Sequence, residues 1–296
     1  MEKSNDLSVL NKFEDNNRPT ISAVINTLNE EKNISFVLRS VKSWVDEIIL
    51  VDMHSEDKTV EIAKGFGAEI YYYERTISFE KARAYAVSKA TKDWIVMIDA
   101  DELIPFNLSK RLIDIATKDE ADIVSIPRVN YLLGTRIMHT GWDPEQDRQM
   151  RFFKNGFLEI EIKLHHVNIP KYGARVVFLP YKEDEAMVHF NYTNSFHFIE
   201  KLNKYTTLHA HQMHEQGVKS NTTAALLGMI DGFMHRYYRN NGYLDGWRGL
   251  YLSLFMGFYN LTIQAKLNEL ETIGEEENIK EIYIKRAESL LKEYES

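Results

Sequence analysis

Between residues 20 and 99 the chain alternates short β-branched runs with stretches of helical spacing, and that order leaves few folds open. The strand-like runs are TISAVINTL (20–28), EIILVDM (47–53), AEIYYYE (68–74) and DWIVMID (93–99). Between them lie NEEKNISFVLRSVKSW (29–44), with Ile34, Val37, Leu38 and Val41 at helix spacing, then DKTVEIAKGFG, stopped at Gly65 or Gly67, and SFEKARAYAVSKA (78–90). A βαβαβαβ order whose strands are apolar on both faces implies a mostly parallel sheet covered by helices. Ligands of such sheets bind beyond the carboxyl ends of the strands, where the topology switches.

The polar residues of this half collect at those ends. Thr27, Asn29 and Glu30 follow the first strand, Asp52, Ser55 and Asp57 the second, and Asp99 and Asp101 the fourth. Asn29 also reads as a helix N-cap and Asp57 as a turn residue in SEDKT. Asp99 and Asp101 admit the bland reading less easily, because two carboxylates at one strand end repel unless a cation or donor offsets them. Oxygen ligands in an Asp-Ala-Asp spacing suit a hard divalent ion, Mn2+ or Mg2+, and such an ion favours a diphosphate.

Composition narrows the classes of function. The 296 residues are 44% hydrophobic, enough for a sizeable core. With 36 basic and 44 acidic residues the net charge is −8, which argues against a nucleic-acid partner. There are no cysteines, so disulfides and thiolate metal sites are excluded. The first residues, 1–19, are polar without an apolar signal segment and read as a flexible leader. The expected location is cytoplasmic.

The blocks ISAVINTLNEEKNISFVLRSVKSWVDEIILVDMHSEDKTVEIAKGFGA and DWIVMIDADE resemble the nucleotide-sugar half of family-2 glycosyltransferases, which have the GT-A fold. The resemblance implies an α/β GT-A domain over 20–192 and a helical C-terminal region over 193–296. Thr27, Asn29 and Glu30 match the family's T-x-N-E turn, which lines the nucleotide pocket. Asp52 matches an acid that accepts a hydrogen bond from the base. Arg83 matches the arginine of an A-R-N segment near the base or diphosphate, although Ala84 stands where the family has Asn. Asp99 and Asp101 match the D-x-D motif, the first nearer the ribose and the second on the metal. His189, ending the strand EAMVHF, is a candidate third metal ligand or phosphate contact.

PRVNYLLGTRIMHTGWDPEQDRQMRFFKNG further resembles the lipopolysaccharide core glucosyltransferase subgroup, whose G-W-x-P-D and R-L-F-R segments it approximates. The implied activity is metal-dependent, inverting transfer of a hexose from a nucleotide-diphosphate donor, UDP-linked by expectation, to a cell-envelope glycan or lipid-linked acceptor. Inversion needs a base for the acceptor hydroxyl. The subgroup has His-Glu where this chain has His165 and His166, so His166 is one candidate base; Glu145 is favoured over it and over Asp147 because Glu145 aligns with the P-D acid. The departures at His166 and Ala84 keep open a non-catalytic nucleotide-sugar or glycan binder on the same fold. A nucleotidyltransferase would want a basic, glycine-rich loop after the first strand, where this chain has the acidic NTLNEEKN.

The last third is helical, in three stretches ending at Gly217, at Gly242 and, in the most apolar, near residue 271, followed by a charged helix. The apolar run from Leu250 to Ile263 is short of the ~20 residues a membrane span requires. It reads either as a core helix or, with Arg236, Tyr237, Tyr238, Arg239, Trp247 and Arg248, as a surface resting on the inner face of the membrane. Ile279, Ile282, Ile284 and Leu290 of the final helix suit a homodimer contact or a lid on the core.

Overall fold

The computed structural model describes residues 18–76, 79–160, 168–274 and 276–295. They form two compact units, the first ending at Thr193 and the second beginning at Asn194.

The first unit opens with β1 (Ile21–Thr27), α1 (Ile34–Val41), β2 (Glu47–Asp52), α2 (Thr59–Gly65), β3 (Glu69–Tyr72), α3 (Phe79–Val87) and β4 (Trp94–Asp99). Then come β5 (Glu102–Leu103), α4 (Phe106–Thr117), β6 (Ile123–Leu132), β7 (Thr135–Ile137) and β8 (Arg148–Lys154). A two-stranded pair, β9 (Leu158–Glu159) and β10 (Ile169–Pro170), precedes β11 (Val176–Phe178) and β12 (Met187–Phe190). The main sheet runs β3-β2-β1-β4-β8-β6-β12-β5, with β7 and β11 paired to β6. Its first four strands are parallel, β8 is antiparallel to both β4 and β6, and β12 is parallel to β6. This mixed, mostly parallel sheet flanked by helices and followed by a helical region is the expected GT-A architecture.

The apolar strands explain the layering. Ile21, Ala23 and Ile25 of β1 pack on one face with Val37, Leu38 and Val41 of α1 and Leu108, Leu112 and Ile115 of α4. Val24 faces the other way, with Ile49, Val51, Met97 and the small residues Ala82 and Ala86 of α3. Both faces being covered, the parallel strands carry almost no polar residue until their ends. Trp94 stacks on Phe152 at 4.6 Å, joining β4 to β8 inside the core.

One boundary departs from the sequence reading. The helix expected from residue 29 begins at Ile34, because Asn29 adopts φ 57° and the next residues turn. Three successive backbone N–H groups there are taken by the loop after β2 and the first residue of α2. Asn29 donates to Ser55 Oγ at 2.8 Å, Glu30 to Thr59 Oγ1 at 2.7 Å and Glu31 to Asp57 Oδ2 at 3.0 Å. Asn29 therefore is no N-cap; its Oδ1 accepts the Glu56 N–H at 2.8 Å.

The second unit holds α5 (Ser195–Glu215), α6 (Thr222–Met234), α7 (Gly246–Thr272) and α8 (Glu276–Glu295). Asn194 and Asn221 cap the first two, accepting from His197 N and Ala224 N. The stretch expected to stay helical to Gly242 leaves the α geometry after Met234 in a π turn, His235–Arg239. Glycines let α6 and α7 approach: a Cβ on Gly257 would lie 2.6 Å from the Met229 carbonyl oxygen. Leu227 and Ile230 on α6, and Trp247, Leu254 and Phe258 on α7, remain exposed. Among the described residues no helix is long and apolar enough to cross a membrane.

Candidate functional site

Register alone brings the expected residues to one edge of the sheet. β1 pairs in parallel with β2 so that Thr27 lies beside Asp52, and with β4 so that Asn26 lies beside Asp99. On the far side, His189 of β12 is flanked in one rung by Asn130 of β6 and Glu102 of β5.

Around Asp52 the sequence builds a closed loop. The Asp52 side chain is fully buried and accepts from Thr27 Oγ1 at 3.1 Å, Ser55 N at 2.8 Å and Ser55 Oγ at 2.5 Å. A carboxylate has about four lone-pair sites, so three protein donors leave room for one more. Arg75 braces the same loop from outside, donating to His54 O at 2.7 Å and Glu56 Oε1 at 2.6 Å. Glu30 accepts from Asn33 Nδ2 at 2.8 Å. The turn from Thr27 to Glu30 and the loop after β2 are thus one hydrogen-bonded rim.

The acids that close β4 meet three arginines. Asp99 accepts from Arg83 Nη2 at 2.6 Å and is ion-paired with Arg151. Glu102, wholly buried, accepts the Asp99 N–H at 2.9 Å and Arg128 Nη1 at 2.8 Å, with Arg151 Nη2 at 3.4 Å. Asp147 takes both Nε and Nη2 of Arg128 at 3.0 Å, Asn130 Nδ2 at 2.6 Å and Gln149 Nε2 at 2.9 Å. Three cations thus neutralise three carboxylates where unpaired charge would be prohibitive. Burial pushes the Asp99 carboxyl up, but Arg151 and Arg83 outweigh it and hold the group well below the ordinary carboxylate range. The same balance, with Arg128 as the cation, keeps Asp147 ionised.

Asp101 stands outside that balanced set and faces His189. The imidazole Nε2 lies 3.5 Å from Asp101 Oδ2, and Nδ1 lies 2.8 Å from Asn130 Oδ1. The expected trio of Asp99, Asp101 and His189 is therefore not assembled as three: two face each other and Asp99 is turned to its arginines. Among the described residues no group of three or more His, Asp or Glu side chains converges as an ion cage. One carboxylate and one imidazole nitrogen still fit a divalent ion shared with a substrate, because magnesium-type ions take one or two protein ligands and complete their shell with phosphate and water.

The two candidate bases fare differently. His166, with His165, lies outside the described residues. Glu145 is exposed on the loop before β8; Tyr181 N donates to it at 2.9 Å and Arg148 is ion-paired with it. Those donors hold its pKa below the ordinary value. Asp147, the rival on that loop, has its oxygens taken up by Arg128, Asn130 and Gln149. Arg128, Arg151 and Asn130 were given no role from sequence. A signal existed, since Arg128 and Asn130 interrupt an apolar strand at the period of two that places them on one face.

The chain matches the model of glycosyl transferase family 2 over residues 22–175. It is 26% identical to a glycosyltransferase of Rickettsia typhi, covering 84% of this chain and 87% of that one. It is 25% identical to the lipopolysaccharide core biosynthesis glycosyltransferase LpsC of Rhizobium meliloti, over 88% and 96% of the two chains. Glucosyl-3-phosphoglycerate synthase from Mycobacterium tuberculosis, solved with Mn2+, UDP and glucosyl-3-phosphoglycerate, is 17% identical with a TM-score of 0.44, over 69% of this chain and 82% of that one.

Proposed function

The chain belongs to glycosyl transferase family 2 and is a glycosyltransferase; from that premise we propose that it is a metal-dependent, inverting enzyme that moves a hexose from a UDP-linked donor to a cell-envelope glycan or a lipid-linked acceptor. The observation that carries the metal dependence is the pair Asp101 and His189, facing each other at 3.5 Å on the edge where the parallel strands end. Support for the envelope acceptor comes from the LpsC relative, whose name places it in lipopolysaccharide core biosynthesis.

Each part of the edge has a separate task. The rim of Thr27, Asn29, Glu30 and Asp52 receives the nucleoside, and Asp52, buried behind Thr27 and Ser55, keeps one acceptor position uncommitted for a base N–H. Arg83, fixed on Asp99, presents its guanidinium beside the diphosphate position, where negative charge grows as the bond breaks. Asp101 and His189 would hold Mn2+ or Mg2+, which when bound supplies Lewis-acid stabilisation of the departing diphosphate. The acceptor oxygen bonds to the anomeric carbon, the bond from that carbon to the diphosphate oxygen breaks, and the hydroxyl proton passes to a base. Glu145, ionised through its donors, is one proton acceptor of this reading and His166 the other.

The test is a panel of UDP-, GDP-, dTDP- and ADP-linked sugars, each with and without Mn2+, followed by thermal shift and by release of nucleoside diphosphate. Selective ligands raise the melting temperature by mass action. A Mn2+-dependent rise with UDP-sugars supports the reading; equal shifts with and without metal would remove the metal from it.

A further inference from the structure

The orientation of His189 is set by a chain of hydrogen bonds that runs from Arg128 through Asp147 and Asn130, and the polarity of each bond is forced by the one before. Asp147 is held by the Nε and Nη2 of Arg128, both at 3.0 Å, so its oxygens act as acceptors. The atom of Asn130 that lies 2.6 Å from Asp147 Oδ2 is then the amide nitrogen, since an amide oxygen there would set two acceptors against each other. With its nitrogen committed, Asn130 turns its oxygen to His189 Nδ1 at 2.8 Å, and that ring nitrogen must carry a proton. The 3.5 Å gap from Nε2 to Asp101 is too long for a good hydrogen bond and does not compete for it.

We infer that Asn130, with Asp147 behind it, is a positioning residue that fixes His189 in the Nδ1–H tautomer and keeps the Nε2 lone pair directed at the Asp101 carboxylate for a divalent ion. Without the amide oxygen, nothing holds the imidazole proton on Nδ1; on Nε2 it would face the Asp101 carboxylate, 3.5 Å away, and the lone pair would be lost to the ion. Backbone pairing supports the arrangement: His189 and Asn130 are register partners in the parallel β6–β12 ladder, so both side chains leave the sheet on one face. Asn130 is fully buried and His189 nearly so, which keeps the pair away from bulk water. Outer partners of metal-bound histidines generally act this way, and their loss typically costs about 10–100-fold in metal affinity.

The inference rests on the reading of Asp101 and His189 as ion ligands, and the experiment separates the two. The full chain, 15N-labelled on histidine and metal-free at a pH where imidazoles are neutral, reports the His189 tautomer by long-range 1H–15N correlation, with His189→Gln assigning the signal. Binding of Mn2+ in the presence of UDP is then titrated in the wild type and in each variant. The expected result is an Nδ1–H signal in the wild type, an Nε2–H signal in Asn130→Ala, and a Mn2+ affinity at least about tenfold weaker in that variant. Asp147→Asn leaves either direction open to the Asn130 amide; it gives a mixture of tautomers and a smaller loss, and serves where Asn130→Ala does not fold by circular dichroism. A wild-type Nε2–H signal, or variants that keep both tautomer and affinity while His189→Ala loses Mn2+, would overturn the role of Asn130 and leave the ligand pair standing. If His189→Ala and Asp101→Asn both bind Mn2+ like the wild type, the ligand pair itself fails, and the metal-free tautomer still decides whether Asn130 holds the ring.

Discussion

Replacing Arg151 with Met isolates the buried charge balance from the packing around it. Methionine keeps the length of the apolar stem and removes the guanidinium. Arg151 is 3% exposed and lies between Asp99 and Glu102, so its removal leaves two carboxylates short of a cation. Deleting one partner of a buried pair costs about 3–5 kcal/mol. Here each acid keeps one arginine, Arg83 for Asp99 and Arg128 for Glu102, which places the loss at the lower end, about 3 kcal/mol. For a unit of this size each kcal/mol moves the melting temperature by about 2–4 °C, so the variant should melt about 6–12 °C lower at pH 7. The pH dependence has a definite sign. The folded pKa of Asp99 is depressed, so its stabilisation is present above the unfolded value and is lost as pH falls through the folded one. The deficit of the variant should therefore be full at pH 7 and narrow below about pH 4, the unfolded aspartate value. Thermal unfolding followed by circular dichroism between pH 3 and pH 7 measures both. A shift under about 2 °C at pH 7, or a deficit that grows on acidification, would refute the charge-balance argument.

Three further outcomes follow from the site. Asp101→Asn should abolish Mn2+-dependent binding of UDP-sugars, measured by calorimetry, while its melting temperature stays within about 2–4 °C of the wild type, since asparagine keeps the size and shape of the side chain. Asp52→Ala should weaken UDP and UDP-sugar equally, by about tenfold to a hundredfold for a charged hydrogen bond of roughly 1.5–3 kcal/mol; Ser55→Ala should reproduce part of this through the loop that Asp52 caps, and a loss confined to the sugar-bearing ligand would place Asp52 elsewhere. Of Glu145→Gln and His166→Ala, the one that removes the base should lower transfer by at least about a hundredfold and leave donor affinity alone. With the Glu145 carboxyl held low, a rate limb near pH 6–7 would point to His166 rather than Glu145.

What the sequence disclosed and what it withheld divide along the range of the interactions. The strands β1, β2 and β4 were legible because an apolar run covered on both faces needs only its own residues to be recognised. The edge bearing Thr27, Asp52 and Asp99 followed from that order, since parallel strands end on one side. The late start of α1 was hidden because Asn29 turns to reach Ser55, a partner 26 residues away that no local spacing encodes. Arg151 was hidden for the same reason: only the antiparallel pairing of β8 with β4 carries it to Asp99.

The position of β12 has a consequence for the order in which the molecule acquires its competence. This strand completes the edge with His189, whose partner Asn130 lies 59 residues earlier in the chain, and it is inserted between β6 and β5 rather than added outside them. Closing so long a loop precedes any reward from the contacts it makes, so such pairings form late. During synthesis the β1–β4 half and its flanking helices can bury their apolar faces first. Glu102 and Leu103 meanwhile wait for the strand that His189 belongs to. A ligand that needs Asp101 and His189 together recognises the first unit only once β12 is in place, and its binding free energy then favours the molecules in which that strand has been inserted.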